Sequence, residues 1–440
     1  MKEARDAGAG YPAGLHAELV AERLLAGGVI GPEHAAAFPD PAFFCRLPWT
    51  AASILPGGEL VPCCFAQPVP GFGDLREATM EQAWNAPALR ALRLDMLRGR
   101  ENPACARCYR REQAGLPSLR TVTRARDRDG RLPMVGRTAP DGSLPDFRPW
   151  SLEVRFSNAC NLRCRYCGPH FSSAWRDDAV SLGRAVPDAR VTTPTGARGG
   201  LLAEIERLLP GLAHLEFLGG EPLLMDEHQD LLDLLAAKGR FDLSLGYSTN
   251  LTTLDHRGRD ATKDWARFRA VTVRVSLDAA GARGEYLRKG LRWEAALRNR
   301  ERMKENCPGA RVILAATVGA LNALCLPDLL SEWLRRPASA GDELDAAVLA
   351  EPEHYGARVL PAPLKREARR RCEAFLERER AALGDRAETT RRRLEELLAY
   401  MDSGDDSRLL PRLLEETRRL DALRGEDLAS VFPELAELAS

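Results

Sequence analysis

The chain has no surplus of either charge: its 440 residues include 63 Lys plus Arg and 63 Asp plus Glu. Without a basic balance nothing in the composition favours nucleic acid, and without an acidic one nothing suggests disorder. A long apolar run is missing too. The longest uncharged apolar stretch, residues 312–326, contains Thr317 and Asn322 and falls short of the roughly 20 residues of a membrane span. The N-terminus carries Lys2, Glu3, Arg5 and Asp6 and no signal-peptide core. Together these absences predict a cytoplasmic protein with neither membrane nor nucleic acid as partner. In a reducing compartment the 11 cysteines read as metal ligands rather than disulfides. The hydrophobic share of 45% and charged share of 29% suit a large globular protein of more than one domain.

Eight residues stand out: Cys160-Asn161-Leu162-Arg163-Cys164-Arg165-Tyr166-Cys167, a C-x3-C-x2-C pattern. Residues 152–156 before it alternate apolar and charged, as a strand does. The three thiols therefore sit on a loop leaving a strand. Gly168-Pro169-His170-Phe171-Ser172-Ser173-Ala174-Trp175 follows and could cap and start a helix. Three thiolates this close can hold one iron–sulfur cluster. A four-iron cluster would keep one iron without a protein ligand, open to a small molecule. The alternative is a structural zinc loop, which normally closes four ligands.

A second cysteine group lies upstream, in residues 40–125. Cys45 opens it. Pro56-Gly57-Gly58 marks a turn between apolar runs at 51–55 and 59–61, which predicts a hairpin. Cys63 and Cys64 follow the hairpin. Residues 80–98 read as one helix with Leu89, Leu92 and Met96 on one face. Cys105-Ala106-Arg107-Cys108 closes the group. Four ligands gathered in this way would suit zinc or an iron–sulfur cluster. Residues 1–39, with a short helix expected at 16–26, are too few for a peptide-binding domain of ordinary size. Residues 126–149 begin with Arg126-Asp127-Arg128-Asp129-Gly130-Arg131 and read as an exposed linker.

From Trp150 the period changes to strands alternating with helices. Strands are expected at 152–156, 215–218, 243–247, 272–277, 312–318 and 344–349. Helices are expected at 201–209, 227–237, 262–269, 293–305 and 326–335. Six strands with helices between them argue an α/β fold around a parallel sheet. Right-handed crossovers would then place every strand's carboxyl end on one side. Residues 176–200 read as a loop able to fold over an opening there. Residues 363–440 read as helical, with apolar stripes at 364–380, 386–401 and 409–423 that would pack on the preceding domain.

The C-x3-C-x-aromatic-C loop after a strand, with Gly219-Gly220-Glu221-Pro222 downstream, resembles the radical S-adenosylmethionine (SAM) superfamily. The upstream group has Cys45-x12-Gly58-x4-Cys63, then Trp84-Asn85, then Cys105-x2-Cys108 with Glu112 and Gly115. It resembles a twitch domain, the shortened form of the SPASM auxiliary-cluster domain. Along most of its length, and in its tail Phe432-Pro433-Glu434-Leu435, the chain resembles radical SAM proteins that carry this domain first. The resemblance implies a partial (βα)6 radical SAM barrel over 150–362. A small twitch domain over 40–125 would precede it, and a helical tail over 363–440 would follow.

The same resemblance implies a [4Fe–4S] cluster on Cys160, Cys164 and Cys167, with S-adenosyl-L-methionine on its open iron. It implies an auxiliary [4Fe–4S] cluster on Cys45, Cys63, Cys105 and Cys108, with Cys64 a rival for the place of Cys63. Tyr166 would lie beside the adenine. Glu221 would offer its carboxylate to the SAM ammonium, and Gly219 and Gly220 would let backbone approach the ligand. Asn250, Ser276 and Asp278 at strand ends are further expected SAM contacts, as is the segment ending in Asn322; loop capping would use the same residue types. Arg288 would either meet a carboxylate or face water. No hydrogen-abstraction or acid–base residue is assignable.

Such enzymes cleave SAM reductively, and the 5′-deoxyadenosyl radical takes a hydrogen atom from unactivated carbon. A reductant of flavodoxin or ferredoxin type is implied. A closed four-cysteine auxiliary site suits an electron acceptor, which favours an oxidoreductase acting on a peptide or on a small molecule such as a sugar or aminocyclitol. One alternative is a maturase that cross-links or epimerises a ribosomal precursor peptide. Another is a non-catalytic zinc or electron-transfer protein, against which the Gly-Gly-Glu motif and the strand–helix alternation speak.

Overall fold

A computed structural model describes residues 13–38, 42–126, 132–195, 200–336, 339 and 341–439. The chain divides into two compact units. The first comprises Met1–Val154 and Thr193–Leu215, the second Arg155–Thr192 and Glu216–Ser440.

The first unit is built on the expected hairpin. Strands β1 (Ala51–Ile54) and β2 (Glu59–Val61) pair antiparallel, with Ser53 opposite Val61. The turn between them needs a residue at φ 102°, which Gly58 supplies without the steric cost a side chain would bring. The two-residue β3 (Gly73–Asp74) adds to β2, and β4 (Ser151–Val154) runs parallel to β1. The helix expected over 80–98 is two helices, Met80–Trp84 and Pro87–Leu97. Pro87 lacks an N–H and would clash with the turn before it, so it ends the first helix and starts the second. Leu89, Leu92 and Met96 are buried, as their spacing predicts.

The linker reading of 126–149 needs correction. Residues 127–131 lie outside the described part. Beyond them Leu132, Val135, Leu144 and Phe147 are buried, Trp49 donates to Thr138 (2.8 Å), and Phe147 packs on Trp84. Polar composition hid a segment that closes the core of the first unit. The N-terminal helix, Ala13–Ala26, also belongs to this unit, and buries Val20 and Leu24.

The strand β5 (His214–Phe217) straddles the division. In the second unit β6 (Ser244–Thr249), β7 (Ala270–Ser276), β8 (Arg311–Val318) and β9 (Glu343–Val348) form parallel pairs in that order. Their carboxyl ends therefore share one edge. Helices Asp226–Ala237, Trp293–Asn306 and Leu326–Leu334 appear where their periodicity predicts, while the expected 262–269 helix shortens to Ala261–Trp265. Along β7, Val271, Val273 and Val275 are buried, whereas Thr272, Arg274 and Ser276 are half-exposed. Central parallel strands are normally covered on both faces, so one face of this sheet is open. Three long helices, Ala362–Arg378, Ala387–Asp402 and Leu410–Arg424, make the C-terminal part and bury their apolar stripes. Among the described residues no helix is long and apolar enough to cross a membrane.

The segment 176–200 is not one free loop. It opens with the helix Arg176–Ser181. Asn158 then accepts from the N–H of Thr192 (2.9 Å) and donates to the carbonyl of Arg190 (3.2 Å), which ties the segment to the start of the cysteine loop. Residues 196–199 lie outside the described part.

Candidate functional site

The cysteine loop of the second unit is shaped by its own backbone. The N–H of Cys160 donates to Ser173 (3.3 Å), and that of Cys167 to the carbonyl of Cys164 (3.0 Å). Trp175, wholly buried, donates its indole N–H to the same carbonyl (2.7 Å). Arg163–Cys164 pairs antiparallel with Arg288–Lys289, a short ladder joining the loop to the segment after β7. The expected helix start is a 3-10 turn, Ser173–Trp175, that leads into Arg176–Ser181.

Cys160, Cys164 and Cys167 are free thiols. Burial pushes Cys160 and Cys167 up to about 12, and the neighbouring Cys164 adds to both shifts. Cys164 is also raised by burial, but the guanidinium of Arg288 opposes the shift. Arg288 is thus no surface residue. It is buried and grips Asp278 with two donors (2.5 and 3.0 Å), and its third nitrogen lies 3.9 Å from the Cys164 sulfur.

Asp278, expected to face SAM, has its carboxylate occupied by Arg288 and by the N–H of Thr317 (2.8 Å). The structure gives it the work of fixing Arg288. Asn322 donates to the carbonyls of Asp278 (2.8 Å) and Thr317 (3.0 Å) and accepts from the N–H of Gly319 (2.8 Å). It is a loop cap. Asn250 likewise spends its side chain locally: it donates to Asn161 inside the cysteine loop (3.0 Å) and accepts from Thr252. Ser276, at the end of β7, lies on the half-exposed face.

Glu221 is 1% exposed. Its carboxylate accepts from the Thr249 hydroxyl (2.7 Å) and from the N–H groups of Asn250 (2.7 Å) and Leu223 (3.2 Å). Burial nevertheless outweighs these donors and pushes the carboxyl up to about 7. The glycines before it have a structural reason. Gly219 and Gly220 both sit at positive φ (69° and 54°). A Cβ on Gly220 would strike the carbonyl of Ala159, and one on Gly219 the side chain of Arg155. The Glu221 N–H bonds that same Ala159 carbonyl (2.8 Å). The close approach they permit is thus to the chain entering the cysteine loop. Gly220→Ala should destabilise the apo-protein by about 1–3 kcal/mol, read as a lower thermal midpoint; an unchanged midpoint would contradict the assignment.

In the first unit, Cys45 and Cys105 are both pushed up to about 12, chiefly by burial. Cys105 and Cys108 add to the shift at Cys45. Cys63 is raised strongly by burial, then by Cys64, Cys45, Glu153 and Cys105. Its electrostatic neighbours therefore include two of the other expected ligands as well as its rival. Arg120 is the nearby cation. It donates to Glu112 (3.0 Å through Nε) and to the carbonyl of Phe44 (3.3 Å), which gives Glu112 of the motif its role. Asn85 of the motif is a clip: it donates to the carbonyl of Leu144 (2.9 Å) and accepts its N–H (2.8 Å).

These donor sets fit what the sequence implies. Each unit gathers free, buried or half-buried, neighbouring thiols of the kind iron–sulfur clusters use. Within the cysteine loop of the second unit the Tyr166 hydroxyl is buried with no partner, an orphan a bound molecule could satisfy. Among the described residues, no three His, Cys, Asp or Glu side chains converge on a single-ion site.

Comparison with known proteins agrees. Residues 45–109 match the SPASM iron–sulfur cluster-binding domain, and residues 154–320 match the radical SAM superfamily. The chain is 26% identical over 235 residues to a GTP 3′,8-cyclase of Rhodococcus opacus (strain B4), covering 51% of this chain and 57% of that protein. It thus spans little more than half the length of that curated relative. Solved structures that resemble it include anSMEcpe with bound AdoMet and Cp18Cys peptide, at 17% identity, TM-score 0.35, covering 52% of this chain and 59% of that one. Streptococcus suis SuiB bound to S-adenosylmethionine is similar at 16% identity, TM-score 0.37, covering 53% and 49%. The chain thus carries a SPASM iron–sulfur cluster-binding domain ahead of a radical SAM domain, whose cofactors are a [4Fe–4S] cluster and SAM.

Proposed function

We propose that this radical SAM enzyme is an oxidoreductase acting on a polar small molecule, of sugar or aminocyclitol type, with its SPASM-domain cluster as electron acceptor. In this reading Cys160, Cys164 and Cys167 hold the cluster at which SAM is cleaved, and the bound cofactors supply the radical chemistry. Glu221 holds the SAM ammonium, and Tyr166 lies against the adenine. Arg288, fixed by Asp278, stands beside the Cys164 sulfur. Cys45, Cys63, Cys105 and Cys108 hold the second cluster. An external donor of flavodoxin or ferredoxin type supplies the first electron.

The observation that carries the substrate class is the open face of the second unit's sheet. Arg274 lies on β7, paired on both sides, yet its side chain is 38% exposed. It donates to Glu216 (2.7 Å). Glu216 occupies space that a side chain on Gly246 would fill. Ser248 stands beside Arg274 in register, and Ser276 follows on the same face. A donor and an acceptor side by side among small residues suit hydroxyl or amino groups better than apolar ones. The relative named above takes its name from a reaction on GTP, itself a small polar molecule.

The test is SAM cleavage by reconstituted protein against a panel of sugars, aminocyclitols and peptides. Polar small molecules should raise 5′-deoxyadenosine formation above background. Arg274→Leu should remove that rise, by about tenfold or more, and leave the background intact. Stimulation by peptides alone would favour the maturase reading. A fall in background would show that Arg274 does not act on substrate.

A further inference from the structure

Of the two residues between the second and third expected cluster ligands, Arg165 follows Cys164 directly, and its side chain is fully buried. Burying a guanidinium is costly unless it is paired. The partners come from the far end of the chain. Arg165 donates to Asp421, near the end of the helix Leu410–Arg424, and to Glu426 (2.7 Å) just beyond it. Its plane stacks on Tyr286 at 3.5 Å, its Nε donates to the Tyr286 carbonyl (3.2 Å), and the Tyr286 hydroxyl donates to Asp421 (2.9 Å). Asp421 also accepts from the N–H of Leu428 (2.9 Å).

A second buried pair repeats the pattern. Arg424, from the same helix, donates to Asp178 (2.9 Å), which also holds Arg163 of the cysteine loop (2.7 Å). Leu420 of this helix packs on Trp175 and Ala179, with Cys167 against the same group. The tail continues the grip. Phe432, fully buried, meets Tyr286 edge-on, and Arg283 donates to Glu434 (3.0 Å). Well-packed apolar residues would attach a helix at least as stably as buried ion pairs. Simple packing therefore does not explain four buried charges here.

We propose that the segment from Leu410 to Leu435 is part of the SAM-cluster site. Asp421 and Glu426 are positioning residues that act through Arg165. They fix the Cys164–Cys167 turn and neutralise the cation next to it. The inference rests on the radical SAM reading, because it takes Cys164 and Cys167 as cluster ligands.

The charges predict opposite signs for opposite partners. Net charge near a cluster sets its reduction potential. Asp421→Asn leaves Arg165 partly uncompensated and should raise the midpoint potential of the cluster whose electron paramagnetic resonance signal responds to SAM. Arg165→Gln should lower it. Each shift should be about tenfold in the reduction equilibrium, ~59 mV for one electron. The double variant should return near the native value, because the two residues act on one another. In the apo-protein, both single variants should speed hydrogen exchange of residues 160–167 by about tenfold, with β6–β8 unchanged.

Where Asp421→Asn folds poorly, Glu426→Gln carries the same expected rise while leaving the Tyr286 and Leu428 contacts to Asp421 in place. Potentials that move in the same direction, or do not move, together with unchanged exchange at 160–167, would overturn the proposal. SAM cleavage lost through failure of the radical SAM reading itself would leave the apo-protein exchange effect standing, so the two failures are distinguishable.

Discussion

Protein reconstituted anaerobically with iron and sulfide should carry about eight irons per chain, four for each of two [4Fe–4S] sites. Cys105→Ala/Cys108→Ala should carry about four and still cleave SAM. The argument is topological. Cys105 and Cys108 lie in a short knuckle, Pro103–Cys105 running into Ala106–Gln113, within the first unit, and all three cysteines of the radical SAM motif lie in the second. Removing the knuckle thiols leaves the second set untouched. Ligand loss can also unfold a small metal-bound domain, so circular dichroism has to accompany the iron count. One zinc and four irons per chain would contradict the assignment of the first unit.

Glu221→Gln should weaken SAM binding by about ten- to a hundredfold. The substitution keeps size and removes the charge that faces the ammonium. A hydrogen bond to a charged group contributes about 1.5–3 kcal/mol, which is that range in affinity. The pH profile gives a second handle. In the free protein the Glu221 carboxyl titrates near 7, held up by burial. The bound ammonium favours the carboxylate, so the complex binds fewer protons than the free protein. Affinity should therefore rise with pH up to about 7 and level off above it. By linkage, pH 5 should cost up to about a hundredfold relative to pH 8. The slope should vanish in Glu221→Gln. Calorimetric titration with SAM measures both effects, and a flat native profile would show that another group meets the ammonium.

The strand positions were legible because parallel strands carry short apolar runs between helices of clear 3.6-residue period. All six strands appear within two or three residues of their expected bounds. The hairpin was legible from its glycines. Other features were not. The helix Gly281–Leu287 follows Asp278 within a few residues and has too little period to declare itself. The packed segment 132–149 looked like linker because its buried Leu144 and Phe147 are spaced irregularly among polar residues.

The site shows the same split. The cysteines, the two glycines and Glu221 are a local pattern and could be named from sequence. The pairing of Arg288 with Asp278 and the grip on Arg165 are long-range facts. Arg165 and Asp421 are 256 residues apart, and a single sequence gives no signal that joins them. A charged residue inside a cysteine motif whose neighbours are buried was the one available hint. Gly219 and Gly220 were expected to make room for ligand; they make room for the chain carrying the first cysteine, a contact between segments that the motif alone does not reveal.

The most direct measurement of the central claim is reductive SAM cleavage. Anaerobically reconstituted protein, given dithionite and SAM, should release 5′-deoxyadenosine and methionine in equal amounts. Cys164→Ala, and separately Cys167→Ala, should release neither, while retaining the iron held by the first unit. Native protein that binds a full complement of iron yet forms no 5′-deoxyadenosine under these conditions would contradict the account.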